Sequence, residues 1–298
     1  MATVGVDLGG TKIAAGVLAD GRVRARTVRP TPKEGGLAVV EAMAACVRAA
    51  IQESGLSGVK AVGVGSPGPL DFERGRVRFA PNIPNLTDFP LREALAEAVG
   101  LPVVLENDAN AAALAEHHLG AAKDAQSSVY VTVSTGIGGG VVFGDRVWRG
   151  AFGQGGEVGH FVVLPHGPVC GCGQSGCLEA LASGVAIARD ARYAYKREMD
   201  TPEVFARWRK GEPKARRIVE QAADYLGLGL ASLQRVLDPE VFVLGGGVVL
   251  GGGAAYLELV QAAFARYTEG WRAGALRVAA LGKEAGWIGA ALAAELSG

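Results

Sequence analysis

Residues 154–180 read QGGEVGHFVVLPHGPVCGCGQSGCLEA and contain three of the chain's four cysteines. Cys170, Cys172 and Cys177 lie within eight residues, and His160 precedes the first of them by ten positions. Thiolates and imidazole are the ligands that zinc prefers, and four of them complete a tetrahedral structural site. The stretch therefore predicts a structural Zn²⁺ bound by these four side chains.

The alternative for this cluster is a disulfide with one spare thiol. The N-terminus has no basic region and meets Asp7 within its first apolar run, so we expect no secretory signal and a reducing environment. Three close cysteines near a histidine suit a metal better in that setting. Glu157 and Glu179 flank the cluster, and in a helix Glu157 would share a face with His160. Two carboxylates and an imidazole suit a ligand with many hydroxyl groups.

Composition indicates a globular protein without a polyanionic partner. The chain has 298 residues, enough for two domains, with a formal net charge of +0. No strong field draws such a chain to nucleic acid or to a membrane. No uninterrupted apolar run approaches the roughly 20 residues of a membrane span. We expect a cytoplasmic protein that binds neither nucleic acid nor a membrane.

A pattern of strand, glycine turn and strand occurs twice along the chain. The first occurrence covers residues 3–18, and the second covers residues 129–143. Helical spacing of apolar residues predicts helices at 37–52, 91–99, 111–119, 185–197, 202–210, 214–237, 255–267 and 287–296. The repeat predicts two related α/β domains with a cleft between them.

The first glycine turn is a candidate phosphate site. It consists of Gly9, Gly10, Thr11 and Lys12. Glycines allow backbone N–H groups to approach phosphate oxygens, and the hydroxyl and ammonium groups add further donors. Asp7 at the preceding strand end is a candidate Mg²⁺ ligand. A plain hairpin turn is the alternative.

The second glycine turn and a third glycine group extend this prediction. The second turn offers Thr135, Gly136 and Gly138, so two such turns can bind one polyphosphate. Gly246 lies in a glycine triplet at the end of another apolar strand. Glycines there allow the close approach of an adenine or a ribose.

Residues 106–108 read END, follow a predicted strand and are candidate catalytic residues. An aspartate such as Asp108 can accept a proton from a hydroxyl group as its oxygen attacks phosphorus. Asn107 can hydrogen-bond the same ligand, and Gly68 can contribute backbone contacts. The alternative makes Asp108 or Asn110 the N-cap of the following helix.

Together these motifs resemble the ROK family of repressors, uncharacterised reading frames and sugar kinases, over nearly the whole chain. Residues 7–12 and 134–140 resemble the family's two phosphate motifs, and residues 157–160 with 170–179 resemble its zinc motif. The resemblance implies an α/β fold of the actin-like ATPase (hexokinase) type with two α/β domains around a cleft. It implies a small N-terminal domain of residues 1–119 plus about 282–298, and a large domain of residues 120–281 with the zinc loop.

The resemblance also implies an activity and a set of residue roles. It implies an ATP-dependent hexose kinase that uses Mg²⁺ and phosphorylates glucose at the 6-position, with Asp108 as general base. N-acetylmannosamine and fructose are the alternative substrates. The implied sugar contacts are Gly68, Asn107, Asp108, Glu157, His160 and Glu179, with His160 also a zinc ligand. A homodimer or homotetramer is implied.

Two functions of other classes stay open. One is a sugar-sensing regulator without kinase activity, and the other is an ATPase that acts on a protein partner. The first phosphate motif starts within the first dozen residues, which leaves no room for a preceding helix-turn-helix and disfavours a DNA-binding repressor. An intact Asp108 disfavours a non-catalytic sensor.

Overall fold

A computed structural model describes residues 1–80 and 82–297. The strands are β1 (Ala2–Leu8), β2 (Lys12–Ala19), β3 (Arg22–Pro30), β4 (Val62–Ser66), β5 (Leu70–Asp71), β6 (Arg76–Val77), β7 (Val103–Asn107), β8 (Ser127–Val133), β9 (Ile137–Phe143), β10 (Arg146–Val147), β11 (Val241–Gly245) and β12 (Ala275–Val278). The helices are α1 (Gly36–Ser54), α2 (Leu91–Val99), α3 (Asp108–His118), α4 (Leu178–Ala182), α5 (Gly184–Tyr195), α6 (Thr201–Arg209), α7 (Pro213–Leu237), α8 (Gly246–Tyr267) and α9 (Ala285–Glu295).

The chain forms two compact units. The first contains residues 1–126, 140–156 and the chain from Ala280 onward. The second contains residues 127–139 and 157–279. Both units combine strands with helices, so the fold is mixed α/β.

The first unit contains the sheet β3-β2-β1-β4-β7. β1 pairs antiparallel with β2 and parallel with β4, and β4 pairs parallel with β7. Asp7 is opposite Gly65, and Ser66 is opposite Asn107. Because the carboxyl ends of parallel strands meet at one edge of a sheet, Asp7 and Asn107 lie at the ends of strands on the same edge.

Helix α9 packs directly on this sheet. A Cβ atom on Gly5 would collide with the Trp287 carbonyl oxygen, and one on Gly63 would collide with the Ala290 carbonyl oxygen. Close packing of helix on sheet therefore requires glycine at these strand positions. Trp287 is fully buried, and truncating a buried side chain of this size costs about 3–5 kcal/mol.

The second sheet has the order β10-β9-β8-β11-β12. β11 pairs parallel with both β8 and β12, and β9 pairs antiparallel with β10. The sequence pattern of strand, turn and strand that begins at β1 thus recurs at β8, and each occurrence occupies the same position in its own sheet. This agreement confirms the internal repeat predicted from the sequence.

Helix α8 begins earlier than the sequence predicts, at Gly246 rather than at 255. Gly253 inside it has non-helical angles (φ 69°, ψ −163°), so a kink joins two helical segments. By length and composition alone, Gly246–Tyr267 is apolar enough to cross a membrane, and 39% of its most apolar window is buried in the fold. A core helix passes the same test.

Candidate functional site

Asn107 is the last residue of β7, and Asp108 is the first residue of α3. The Asn107 side-chain oxygen accepts hydrogen bonds from the N–H groups of Ala109 (2.9 Å) and Asn110 (3.2 Å). Asn107 is therefore the N-cap, and the alternative that gave this role to Asp108 or Asn110 is wrong. The Asn107 side-chain oxygen is therefore engaged by the first turn of α3.

Asp108 is the first residue of α3 and is exposed. Its Oδ1 accepts a hydrogen bond from the Ala109 N–H (2.8 Å). The positive end of the helix dipole favours the ionised carboxylate at this position. Asp108 is therefore an accessible carboxyl group at a helix N-terminus.

Glu106 lies behind this turn, and the sequence analysis gave it no role. Its side chain is 0% exposed. Oε1 accepts hydrogen bonds from the Asn107 N–H (2.9 Å) and from Asn110 Nδ2 (3.1 Å). Oε2 accepts from Arg149 Nε (2.9 Å) and from a second guanidinium nitrogen. The partner lies 43 positions along the chain, so no local pattern signals the pair.

Asp7 lies near the end of β1, just before the first glycine turn, and is the candidate cation ligand there. Burial, followed by the negative charge of Asp108, raises the pKa of the Asp7 carboxyl from 3.8 to about 6. Lys12 opposes this shift. A buried carboxyl beside a second negative charge gains from a divalent cation nearby, so Asp7 fits a Mg²⁺ ligand.

The backbone around this turn is compact. The Gly9 N–H donates to the Lys12 carbonyl (3.0 Å), and Thr31 Oγ1 donates to the Gly9 carbonyl (2.6 Å). Gly10, Thr11 and Lys12 are exposed and available to a ligand. Gly68, also in the first unit, has φ +85°, and a Cβ there would collide with the Phe79 carbonyl oxygen. Only glycine fits at that position.

In the second unit, Glu179 binds the second glycine turn. Its Oε2 accepts a hydrogen bond from the Ile137 N–H (2.9 Å). A Cβ on Gly136 would collide with the same carboxylate. The Glu179 N–H donates to the Gly159 carbonyl (2.9 Å). The glycine turn that contains Thr135 and Gly138 is therefore tied to the cysteine-rich segment, a link that the sequence analysis missed.

The four donor atoms of the cysteine cluster fit a zinc ion. Cys170 Sγ and His160 Nδ1 are 3.6 Å apart, as are Cys172 Sγ and Cys177 Sγ. All four lie within 4.8 Å of one another. Zn–S bonds of about 2.3 Å and Zn–N bonds of about 2.0–2.1 Å at tetrahedral angles give S–S and N–S separations of about 3.8 and 3.6 Å. The donor set is therefore compatible with a tetrahedral zinc site.

The cysteine thiols of this cluster must lose their protons before they can bind zinc. Burial raises the pKa of Cys170 to about 12 and also raises the pKa of Cys177. A backbone hydrogen bond at Gln174 lowers the pKa of Cys172. All four cysteines are free thiols. A zinc ion supplies the charge that deprotonates such thiols.

Glu157 and His160 stand at the two ends of a turn. The His160 N–H donates to the Glu157 carbonyl (3.0 Å), and the segment is not a helix. Their nearness therefore comes from the turn and not from a shared helical face. Glu157 is exposed and His160 is half-buried.

A cavity of about 440 Å³ opens beside the second glycine turn, within the second unit. Its walls include Thr135, Val185, Phe205, Gly247 and Val248. Gly246, at the adjoining strand end, has φ +89°, and a Cβ there would collide with the Val133 carbonyl. Apolar walls with a few polar groups are typical of a small-molecule site.

Comparisons with known sequences and with solved structures indicate the same protein family. The profile described as "ROK family" matches residues 3–296. A glucokinase of Streptomyces coelicolor is 39% identical over 97% of this chain and 96% of its own length. An N-acetylmannosamine kinase of Escherichia fergusonii is 37% identical over 99% of both chains.

Two solved structures are similar along their whole length. A ROK hexokinase from Thermus thermophilus is 59% identical with a TM-score of 0.96, covering 100% of this chain and 99% of its own. A ROK glucokinase from Streptomyces griseus, in complex with glucose and AMPPNP, is 38% identical with a TM-score of 0.81, covering 99% and 100%. The fold is that of the actin-like ATPases.

Proposed function

Since this chain belongs to the ROK family, we propose that it is an ATP-dependent sugar kinase that converts glucose to glucose 6-phosphate. The observation that carries the proposal is the turn at 107–108, where the Asn107 cap holds Asp108 as an exposed carboxylate at a helix N-terminus. A glucokinase at 39% identity and a glucose-bound relative at 38% support glucose as acceptor.

Asp108 is the general base of the proposed reaction. Its carboxylate accepts the proton of the 6-hydroxyl group as that oxygen forms a bond to the γ-phosphorus. The bond between the γ-phosphorus and the bridging oxygen breaks, and ADP leaves with that oxygen. Asn107, through its NH₂ group, and Gly68, through its backbone, contact the sugar and orient the hydroxyl group.

Phosphate groups of ATP are proposed to contact the two glycine turns. The candidate contacts are Gly9, Gly10, Thr11 and Lys12 in one turn, and Thr135, Gly136 and Gly138 in the other, with Gly246 near the nucleoside. Mg²⁺, for which Asp7 is the candidate ligand, supplies positive charge that stabilises the phosphate oxygens. Backbone N–H groups of the turns supply further donors.

The zinc-binding segment is proposed to hold the candidate sugar contacts of the second unit. Cys170, Cys172, Cys177 and His160 Nδ1 hold the metal, which leaves the other ring nitrogen of His160 for a sugar hydroxyl. Glu157 and Glu179 are the further sugar contacts. Because Glu179 also accepts the Ile137 N–H, it links sugar recognition to the phosphate turn.

N-acetylmannosamine is the second candidate acceptor, since a kinase for that sugar is 37% identical over 99% of this chain. The deciding assay measures ADP release with MgATP against glucose, N-acetylmannosamine, fructose and no sugar. A dominant glucose rate with phosphate on the 6-oxygen supports the proposal. A dominant rate with another sugar replaces the substrate. Sugar binding without ADP release supports the regulator, and ADP release without sugar supports an ATPase.

Three further expectations from the sequence stay proposals. We propose that the two compact units correspond to the N-terminal and C-terminal α/β domains. A homodimer or homotetramer is proposed from family membership, and sedimentation measures it. A cytoplasmic location is proposed because a kinase of this class needs ATP and Mg²⁺ together.

A further inference from the structure

Arg149 and Glu106 form an ion pair behind the turn that carries Asn107 and Asp108. Glu106 is 0% exposed, and 38% of the Arg149 side chain is exposed. Arg149 donates from Nε and from a second nitrogen to the same carboxylate oxygen. A carboxylate withdrawn from water is costly unless it is paired and hydrogen-bonded. Arg149 therefore supplies the counter-charge of this buried carboxylate.

The second oxygen of Glu106 acts on the turn itself. It accepts hydrogen bonds from the Asn107 N–H and from Asn110 Nδ2. Asn110 is buried, and its Oδ1 makes no hydrogen bond. Glu106 is therefore the side-chain anchor of Asn110, and it joins the strand end to the first turn of α3.

Arg149 is itself fixed in place. Its guanidinium lies over the Phe72 ring, 5.0 Å from the ring centre. Its carbonyl accepts the Gly155 N–H (2.8 Å), which closes a short loop. Gly153 in that loop has φ +72°, and a Cβ there would lie 2.8 Å from the Phe72 ring. The loop and the ring hold the arginine where it meets Glu106.

We propose that Glu106 and Arg149 are positioning residues for Asp108. The pair acts through the backbone of residues 107–110 and not on the sugar, and this inference rests on the proposed kinase function. A displacement of about 1 Å at a reacting group can cost about 10²-fold in rate. Loosening this turn therefore lowers kcat, while the contacts proposed for ATP lie elsewhere in the chain and leave its KM unchanged.

Arg149→Met tests the pair. We expect kcat to fall at least about tenfold while KM for ATP stays near the wild-type value. The matched control is Arg76→Met. Arg76 has a 30% exposed side chain and the same 2.9 Å distance from its Nε to a carboxylate, but its partner Asp88 is 73% exposed. The control keeps its kcat. A wild-type kcat in Arg149→Met overturns the proposal.

The double variant Glu106→Gln/Arg149→Met separates positioning from direct contact with substrate. The single variant leaves a buried carboxylate without a counter-charge. The glutamine removes that charge and keeps an amide oxygen for Asn107 and Asn110, so most of the lost kcat returns. If Arg149 contacts the sugar, the double variant stays as slow as Arg149→Met, which overturns the proposal. The double variant is also expected to fold where the single variant is unstable.

Amide hydrogen exchange gives a readout that needs no activity. Exchange at the Asn107, Ala109 and Asn110 N–H groups is expected to accelerate in Arg149→Met and to return in the double variant. A wild-type protein that phosphorylates no sugar, together with this exchange pattern, rejects the kinase function and keeps the coupling of the pair to the turn. Unchanged exchange at these three amides overturns the coupling itself.

Discussion

Asp7 is expected to lower the free energy of unfolding at neutral pH, and the variant Asp7→Asn tests this. Burial and then the negative charge of Asp108 raise the pKa of the Asp7 carboxyl from 3.8 to about 6. Glu284 shifts it in the same direction, and Lys12 opposes them. Ionising Asp7 is therefore harder in the folded protein than in the unfolded chain.

Proton linkage gives the direction in which pH changes the free energy of unfolding. A carboxyl with a raised folded pKa is accommodated without penalty below pH 3.8, and stability is lost as the pH rises through about 6. One pKa unit corresponds to about 1.36 kcal/mol, so the loss is about 3 kcal/mol at pH 7, about 1.5 at pH 5 and about 0.5 at pH 4. An amide has no charge to bury. Asp7→Asn is therefore expected to be more stable than wild type by these amounts.

Urea unfolding of both proteins from pH 4 to pH 8 measures the difference. The control is Asp124→Asn, because Asp124 is exposed and the same charge is removed there without relief of burial. The control should follow wild type at every pH. A difference between Asp7→Asn and wild type that is flat with pH, or an Asn variant that is less stable at pH 7, refutes the reasoning.

The same substitution should separate stability from activity. An amide binds Mg²⁺ less well than a carboxylate does, so Asp7→Asn should lose turnover while it gains stability. Mg²⁺ with a non-hydrolysable ATP analogue should raise the melting temperature of wild type more than that of the variant. Equal shifts would remove Asp7 from the cation site.

Three other predictions concern single substitutions. Asp108→Asn should keep sugar binding by calorimetry and lower kcat by about 10²–10⁴-fold, because general-base catalysis is lost; turnover near wild type would remove its role. Cys172→Ser should lose zinc by atomic absorption and bind sugar more weakly, and unchanged metal content would reject the metal site. Gly246→Ala should lower unfolding stability by at least about 1–2 kcal/mol, because φ is +89° and Val133 leaves no room for a Cβ. Gly247→Ala, where the nearest atom to a Cβ is 3.7 Å away, is the control and should change stability less.

The regular helices could be predicted because their signal is local. The pattern at 214–237 predicts a helix, and the structure has Pro213–Leu237. The predicted helix at 37–52 is Gly36–Ser54, with Cys46 fully buried inside it. Apolar spacing fixes which face a helix buries whatever it packs against.

Strand β3 was missed for an equally physical reason. It reads RVRARTVRP, lies at the edge of its sheet, and buries only Ala25. An edge strand rich in arginine lacks the apolar run that marks a buried strand. Its existence depends on pairing with β2, and that partner cannot be inferred from the strand's own residues.

The candidate site also contains features that the sequence could predict and features that it could not. The cysteine cluster was predictable because its ligand types are near in sequence, and the distances of 3.6 Å agree with a tetrahedral ion. The cap at Asn107 was not, because Asn107, Asp108 and Asn110 all have suitable side chains, and only the backbone geometry selects one.

By itself the sequence determined the elements and the candidate chemistry of this protein: two glycine turns after strands, an END turn before a helix, and a Cys₃His cluster. Each depends on residues that are neighbours in the chain. Only the tertiary structure decided that Glu106 meets Arg149, that Glu179 holds the Ile137 N–H, and that Asp7 is costly to ionise. Those features arise from burial and from pairs more than 40 positions apart, because desolvation and charge proximity are properties of the packed chain.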